Sequence, residues 1–198
     1  MWFLDAIHLL RLLGVLLLLL GVLFWLGGWV NKKMHDPPSA QPVAPIEGII
    51  PTAKTVADSL VLAVPLAQDI CNHALAEEPN ICCGILIGHG NTVDSVFVAA
   101  NVDKSPTTYT IGRTDILQAI NDADKSHSDI LGFYSSRPFT EAYPSLTDLR
   151  LAPPSAELPF VYVIVSMVDR DAPVIKAFRY QDRENSSREV IEVNLVMT

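Results

Sequence analysis

The residues whose types and spacing could support chemistry are concentrated in the segment 132–148, which reads GFYSSRPFTEAYPSLTD. The segment begins within a short apolar and aromatic run, Ile130–Tyr134, that is typical of a buried strand. Pro138 and Pro144 bracket a loop, because neither proline fits inside a regular central element. The sequence therefore predicts a strand end followed by a loop, which is a common location for functional residues.

Hydroxyl and carboxylate groups at the end of this segment predict the start of a helix. Ser145 is followed three residues later by Asp148, which is an acidic form of the capping box. Ser135 and Ser136 supply two further hydroxyl groups at the strand end. No credible general base flanks either of these serines, so the pattern does not indicate a serine hydrolase.

The spacing of the segment resembles that of the JAMM (MPN-domain) metalloprotease family. Members of that family carry a His-x-His-Pro sequence at a strand end, followed after a loop by Ser-x-x-Asp. Here Pro138, Ser145 and Asp148 keep this frame, with seven residues from the first loop proline to the second. Ser135 and Arg137, however, stand at the positions of the two histidines. The resemblance therefore implies the fold of the family without its full set of zinc ligands.

Two further segments carry the same resemblance. Cys83–Gly88 (CGILIG) is similar to the Cys-Gly-Leu-Leu-x-Gly strand of the family, and Phe160–Ser166 with Ile175–Phe178 resembles its closing strands. We therefore expect an α/β fold of the JAMM/MPN (cytidine-deaminase-like) type, with one mixed sheet flanked by helices. The predicted elements alternate between strands and helices in that order. They are Ser59–Val64, Leu66–Ala76, Ile81–Gly88, Thr92–Val102, Thr114–Ala123, Ile130–Tyr134, Ser145–Ala152, Phe160–Val168, Val174–Tyr180 and Val190–Val196.

The resemblance also implies what each site position would do in an active member. There, two histidines and one aspartate hold the zinc with a water as fourth ligand, and a glutamate acts as general acid/base. Asp148 is the only retained ligand, Ser145 corresponds to the residue that assists the developing oxyanion, and Ile81 stands at the glutamate position. Glu77 and Glu78 lie nearby but are expected to be solvated loop residues. We therefore expect neither a bound metal nor catalysis at this site.

Arg137 places a permanent cation where the resemblance places the metal, and a cation would repel a dication. We hypothesise that Arg137 forms an ion pair with Asp148, whose carboxylate matches the planar guanidinium. The positive charge of Arg137 would then replace the charge of the zinc.

The alternative is a zinc-dependent JAMM-type (iso)peptidase with substitute ligands. The candidate ligands are Cys82, Cys83, His89 and His127. Adjacent cysteines on a strand face opposite sides, so only one of the two could reach any given site. His89 lies in a turn and His127 in a polar loop, where surface positions are expected.

The N-terminal region is predicted to anchor the chain in a membrane. Residues 12–30 contain no charged residue and are long enough to cross a bilayer core, and 1–33 forms the predicted anchor region. A cleaved signal peptide is the competing interpretation, although its apolar region is usually shorter. Residues 34–51 contain five prolines and are predicted to be an extended linker, which leaves 52–198 as the folded domain.

Charge and cysteine usage constrain the location and the partners. Three of the 14 basic and one of the 22 acidic residues precede Met34, so the chain from there on has a formal charge of −10. This charge argues against nucleic-acid binding. Three cysteines do not form a disulfide framework, and Lys32 and Lys33 follow the apolar run. Both features favour a single-pass membrane protein with a cytoplasmic C-terminal domain.

These features together predict a membrane-anchored, catalytically degenerate JAMM/MPN-like domain that acts as a binding or scaffold module. The partners that the resemblance implies are a small ubiquitin-like or sulfur-carrier protein, or another JAMM protein, besides the lipid bilayer contacted by residues 12–30. A membrane-bound structural module without a client is the third possibility.

Overall fold

The computed structural model describes residues 58–152, 159–183 and 187–198. The predicted membrane anchor and the predicted proline-rich linker lie outside these residues. Among the described helices, none combines the length and the apolar character that a membrane crossing requires.

The described part of the chain contains seven strands and three helices, and most lie close to their predicted positions. In chain order they are β1 (Ser59–Leu62), α1 (Val64–Glu77), β2 (Cys83–His89), β3 (Thr92–Ala99), α2 (Arg113–Lys125), β4 (Asp129–Arg137), α3 (Leu146–Leu151), β5 (Val161–Ser166), β6 (Val174–Asp182) and β7 (Arg188–Met197).

The strands form a mixed sheet that closes on itself as a barrel in the order β1, β3, β2, β4, β5, β6, β7. Strand β1 runs parallel to both β3 and β7, and β4 runs parallel to β5. The remaining neighbours are antiparallel. The predicted mixed sheet with flanking helices is confirmed. Closure through the short strand β1 was not predicted.

Both faces of strand β2 are buried, as its continuous apolar run predicts. The strand therefore lies at the centre of the fold. Leu86 belongs to the apolar core beneath helix α1, and Ile70 of that helix is part of the same core. Ile85 and Ile87 point to the opposite face, where Ala119 of α2 covers them. Burying one such aliphatic side chain contributes about 1.5–3 kcal/mol. The two apolar layers therefore fix the position of the strand that runs beside β4.

Close packing between β2 and β4 requires a glycine at position 84. A Cβ atom there would lie 2.2 Å from Cε1 of Tyr134 and 2.4 Å from the carbonyl oxygen of Phe97. The Tyr134 hydroxyl reaches across to Nδ1 of His73 at 3.0 Å. His73 is partly buried in this contact.

Strand β4 extends three residues further than predicted, through Ser135 to Arg137. Ser135 pairs with Cys83 of β2 and with Ile164 of β5. Arg137 pairs with Ser166 of β5. The polar residues at the strand end are therefore held by the sheet rather than by the following loop.

Candidate functional site

Arg137 is the central residue of the site, and its side chain is only 7% exposed. Its Nη2 group donates to Oδ2 of Asp148 at 2.5 Å. Its Nη1 group donates to the Ser136 carbonyl oxygen at 2.9 Å and to Oγ of Ser135 at 3.2 Å. The structure thus brings together Arg137 and Asp148, the two residues that the sequence analysis paired, with Ser135 beside them.

Asp148 is held in place by the start of helix α3. Its Oδ2 atom accepts a second hydrogen bond from the Ser145 backbone N–H at 2.6 Å, and Oγ of Ser145 accepts from the Asp148 N–H at 3.2 Å. These contacts form a complete capping box. One carboxylate oxygen therefore serves both the helix cap and the ion pair, and the side chain is 11% exposed.

Tyr109 is a member of the site that the sequence analysis missed. Its hydroxyl lies near Ser135, Asp148 and Arg137. Burial, together with the Asp148 charge, raises the pKa of Tyr109 to about 12, although Arg137 opposes this shift. The hydroxyl therefore keeps its proton at neutral pH. No local pattern around Tyr109 indicates this contact, because the residue lies in a loop far from the site in sequence.

The loop that carries Tyr109 is organised by the buried side chain of Asn101. Its Nδ2 group donates to the carbonyl oxygens of Ile81 at 3.0 Å and Thr108 at 3.1 Å, and its Oδ1 accepts from the Thr110 N–H at 3.3 Å.

Ile81 itself is 3% exposed. The position that the resemblance assigns to a general acid/base is thus occupied by a buried side chain with no ionisable group.

The two glutamates before Ile81 differ in their surroundings. Glu77 is exposed, as expected, but it is the last residue of α1 rather than part of a loop. Glu78 is not a solvated loop residue, because its Oε2 atom accepts from Nε of Arg170 at 2.9 Å. This contact joins α1 to the β5–β6 connection instead of directing a carboxylate to Arg137.

Two stacked aromatic side chains lie near Asp148. The rings of Tyr162 and Tyr180 stack with their centroids 4.3 Å apart. Burial raises the pKa of both hydroxyl groups, and the Asp148 charge adds to this effect.

Helix α3 is fixed at its other end, where Nη1 of Arg188 donates to the Leu149 and Ala152 carbonyl oxygens at 2.7 Å each.

The residues at this site do not fit a zinc ion. Arg137 has no lone pair to donate, because its guanidinium group remains protonated in proteins. The Ser135 hydroxyl is a weak substitute for an imidazole, and the Asp148 oxygen is already engaged. A catalytic zinc centre needs about three protein ligands. Of the three positions that the resemblance assigns to ligands, only Asp148 carries a suitable group.

The substitute ligands considered for the alternative interpretation do not gather elsewhere. In residues 58–152, 159–183 and 187–198, no group of three or more His, Cys, Asp and Glu side chains is arranged to hold a metal. Burial raises the pKa of Cys82 to about 11 and that of Cys83 to about 12, so both remain thiols at neutral pH. His89 is exposed and contacts Asp94 and the backbone of His127. These histidines lie at the opposite end of β4 from Arg137.

Comparison with known proteins agrees with the fold. Residues 63–181 match the family described as Prok-JAB, prokaryotic homologs of the JAB domain. The chain therefore belongs to this family, and the resemblance to the JAMM/MPN proteins is confirmed.

Particular relatives cover most of the folded domain. CysO-cysteine peptidases of Mycobacterium bovis and Mycobacterium tuberculosis are 33% identical over 129 residues, which is 62% of this chain and 84% of theirs. The solution structure of protein DSY2949 from Desulfitobacterium hafniense is similar, with a TM-score of 0.61 and 29% identity. The match covers 70% of this chain and 92% of that chain.

Proposed function

We propose that this protein is a membrane-anchored JAB-family domain that binds a partner protein and does not hydrolyse it. The observation that carries this proposal is the position of the Arg137 guanidinium, which lies between Ser135 and Asp148 and is hydrogen-bonded to both. A metal-dependent hydrolase needs a metal to polarise the scissile carbonyl and to activate water. In this chain a cation of the protein itself fills the corresponding position.

The lack of an acid/base group supports the same conclusion. Proton transfer to the leaving group requires a titratable side chain within hydrogen-bond reach of it. Ile81 cannot supply this proton, and Glu78 is paired with Arg170. Tyr109 also lies near Ser135, but its raised pKa keeps the phenol protonated at neutral pH, so it cannot accept a proton and is only a weak acid.

The proposed partner is a small ubiquitin-like or sulfur-carrier protein, or an active JAMM protein. The names of the mycobacterial relatives describe peptidases that act on a CysO-cysteine substrate, which supports this class of partner. The loop next to the site also exposes Phe139 and Tyr143, and Leu146, the first residue of α3, is exposed beside them. Exposed apolar residues on a well-anchored loop are typical of protein-binding surfaces.

The anchoring of this loop supports its role in binding. Oγ of Ser166 donates to the Thr140 carbonyl oxygen at 2.8 Å, and the Met167 N–H donates to the Arg137 carbonyl oxygen at 3.0 Å. The Tyr143 ring packs edge-on against Phe178 at 5.5 Å. A partner would therefore meet a preformed surface, which lowers the entropy cost of binding.

The absence of metal-dependent hydrolysis is tested on the full chain, purified in detergent without chelators. We expect no stoichiometric zinc and no cleavage of a peptide bond to a sulfur-carrier or ubiquitin-like protein. The matched variant is the double substitution Ser135→His with Arg137→His, which would complete a two-histidine, one-aspartate ligand set with Asp148. One zinc per wild-type chain, lost on Asp148→Ala and accompanied by cleavage, would refute the proposal.

Binding is tested separately with purified sulfur-carrier and ubiquitin-like proteins as probes. We expect one of them to bind the wild-type chain and to bind at least roughly tenfold more weakly after Phe139→Glu, a loss of about 1.4 kcal/mol. Val196→Glu, at an exposed apolar position on strand β7, is the control and should leave the affinity unchanged. Equal weakening by both substitutions would show that the loop is not the binding surface.

A further inference from the structure

The groups around the Arg137 head form a small polar pocket with three oxygen acceptors. These are Oδ2 of Asp148, the Ser136 carbonyl oxygen and Oγ of Ser135. We propose that this pocket is a guanidinium receptor whose resident ligand is the side chain of Arg137. The inference concerns the group that fills the site and does not depend on the identity of the binding partner.

Each acceptor is positioned by contacts that do not involve Arg137. Asp148 is fixed by the capping box with Ser145. Oγ of Ser136 accepts from the Cys82 N–H at 2.9 Å, which fixes that residue against β2. Ser135 is held by its pairing with Cys83 of β2 and Ile164 of β5. The pocket is therefore preorganised, and it should persist when the guanidinium is removed.

The arrangement of the acceptors favours a planar fork over a point charge. Two different guanidinium nitrogens donate, one to the carboxylate and the other to the hydroxyl and carbonyl oxygens. A guanidinium group presents its donors in a rigid plane, whereas an ammonium group presents a compact charge. A zinc ion would find only one carboxylate, and the Oδ2 atom of that carboxylate also accepts from the Ser145 backbone. The pocket should therefore distinguish guanidinium from both other cations.

Burial makes occupation of the pocket important for stability. The side chains of Arg137 and Asp148 are 7% and 11% exposed, so water can replace the missing cation only poorly. A carboxylate left without its partner in such a place destabilises the fold. A ligand that binds the folded chain alone raises its stability in proportion to the logarithm of the ligand concentration. Free guanidinium should thus rescue a chain that lacks the arginine head group.

The experiment is chemical rescue of the Arg137→Ala variant in the full-length protein. We expect its Tm to rise with millimolar guanidinium chloride by roughly 2 °C or more, in proportion to the logarithm of the concentration once the pocket is mostly occupied. The wild type should show only a small decrease, because guanidinium is a denaturant and the pocket is filled. The double variant with Arg137→Ala and Asp148→Asn should not be rescued. Absence of a rise in Arg137→Ala, or an equal rise in the double variant, would overturn the inference.

Two further cations test the selectivity of the pocket. Methylammonium chloride at the same concentrations should raise the Tm of Arg137→Ala less than guanidinium does, and zinc chloride should not raise it. Rescue by zinc alone would overturn the guanidinium receptor. It would not refute the proposed absence of hydrolysis, which zinc and cleavage in the wild type would refute.

If Arg137→Ala does not fold, the variant Arg137→Lys tests the guanidinium receptor instead. Lysine retains the charge but lacks the planar fork, so we expect its Tm to lie below that of the wild type by roughly 2 °C or more. A Tm equal to that of the wild type would show that only the charge matters, and it would overturn the inference.

Discussion

Arg137 and Asp148 carry opposite charges in a place that water barely reaches. Each would be costly to bury alone, and the structure compensates both with one short contact and with further hydrogen bonds. Breaking a buried pair by removing one partner typically destabilises a protein by about 3–5 kcal/mol. Replacing both partners removes the unpaired charge as well, so the two losses should not add.

We therefore predict strong coupling in a double-mutant cycle of Arg137→Met and Asp148→Asn. Arg137→Met should lower the free energy of unfolding by about 3–5 kcal/mol, and the double variant should lose less than the sum of the single losses. Urea unfolding followed by circular dichroism measures each value. The exposed pair Arg183–Glu189, with a 2.8 Å contact, is the matched control, and its coupling should stay below about 1 kcal/mol. Similar coupling in the two cycles would contradict the prediction.

Two histidines should influence stability with opposite dependence on pH. Burial lowers the pKa of His73, although the Glu77 charge opposes this, and its Nδ1 atom contacts the Tyr134 hydroxyl. The stability that His73 contributes is therefore complete above its ordinary pKa of 6.5 and is lost as the pH falls through its lowered pKa. The hydrogen bond to Asp94 raises the pKa of His89, so its contribution is complete below pH 6.5 and is lost as the pH rises through the raised pKa.

The test compares the unfolding free energies of the wild type, His73→Gln and His89→Gln from pH 5 to pH 8. The advantage of the wild type over His73→Gln should shrink as the pH falls. Its advantage over His89→Gln should shrink as the pH rises. Each variant serves as the control for the other, because changes common to all three chains cancel in the comparison. Curves that remain parallel would contradict both assignments.

At the scale of the elements, local sequence patterns were sufficient to predict most strands and helices. The continuous apolar run at Cys83–Gly88 predicts a strand buried on both faces, and the packing of β2 agrees. The end of β4 could not be predicted in the same way, because Ser135, Ser136 and Arg137 are polar. They remain in the strand because β2 and β5 supply hydrogen-bonding partners from distant parts of the chain.

Helix α3 is short, so its stability should depend strongly on its first residue. Ser145 caps the helix and also orients Asp148 towards Arg137. We predict that Ser145→Ala lowers the free energy of unfolding by about 1 kcal/mol, because one backbone N–H loses its acceptor. Ser145→Gly is the matched comparison and should cost only about a few tenths of a kcal/mol. Urea unfolding distinguishes the two, and equal losses would show that the cap contributes little.

At the scale of the whole molecule, the sequence could indicate the family but not how the site is enclosed. The frame of Pro138, Ser145 and Asp148 was sufficient for the family because its spacing is local. Tyr109 reaches the site only because a loop organised by Asn101 folds back over β4. Closure of the barrel likewise depends on contacts between β1 and β7, which lie far apart in the sequence. Such contacts arise from packing and leave no local pattern.

The apolar segment 12–30 leads to the last prediction, which concerns the location of the protein. We expect the full chain to remain with the membrane fraction after an alkaline wash, because about 20 apolar residues suffice to cross a bilayer core. Leu18→Arg places a charge near the middle of the segment at a cost of roughly 2.5–3.5 kcal/mol and should release most of the protein, whereas Leu18→Val should not. The intact mass of the wild type distinguishes an anchor from a cleaved signal peptide. A mature chain that lacks this segment would contradict the anchor and favour the signal peptide.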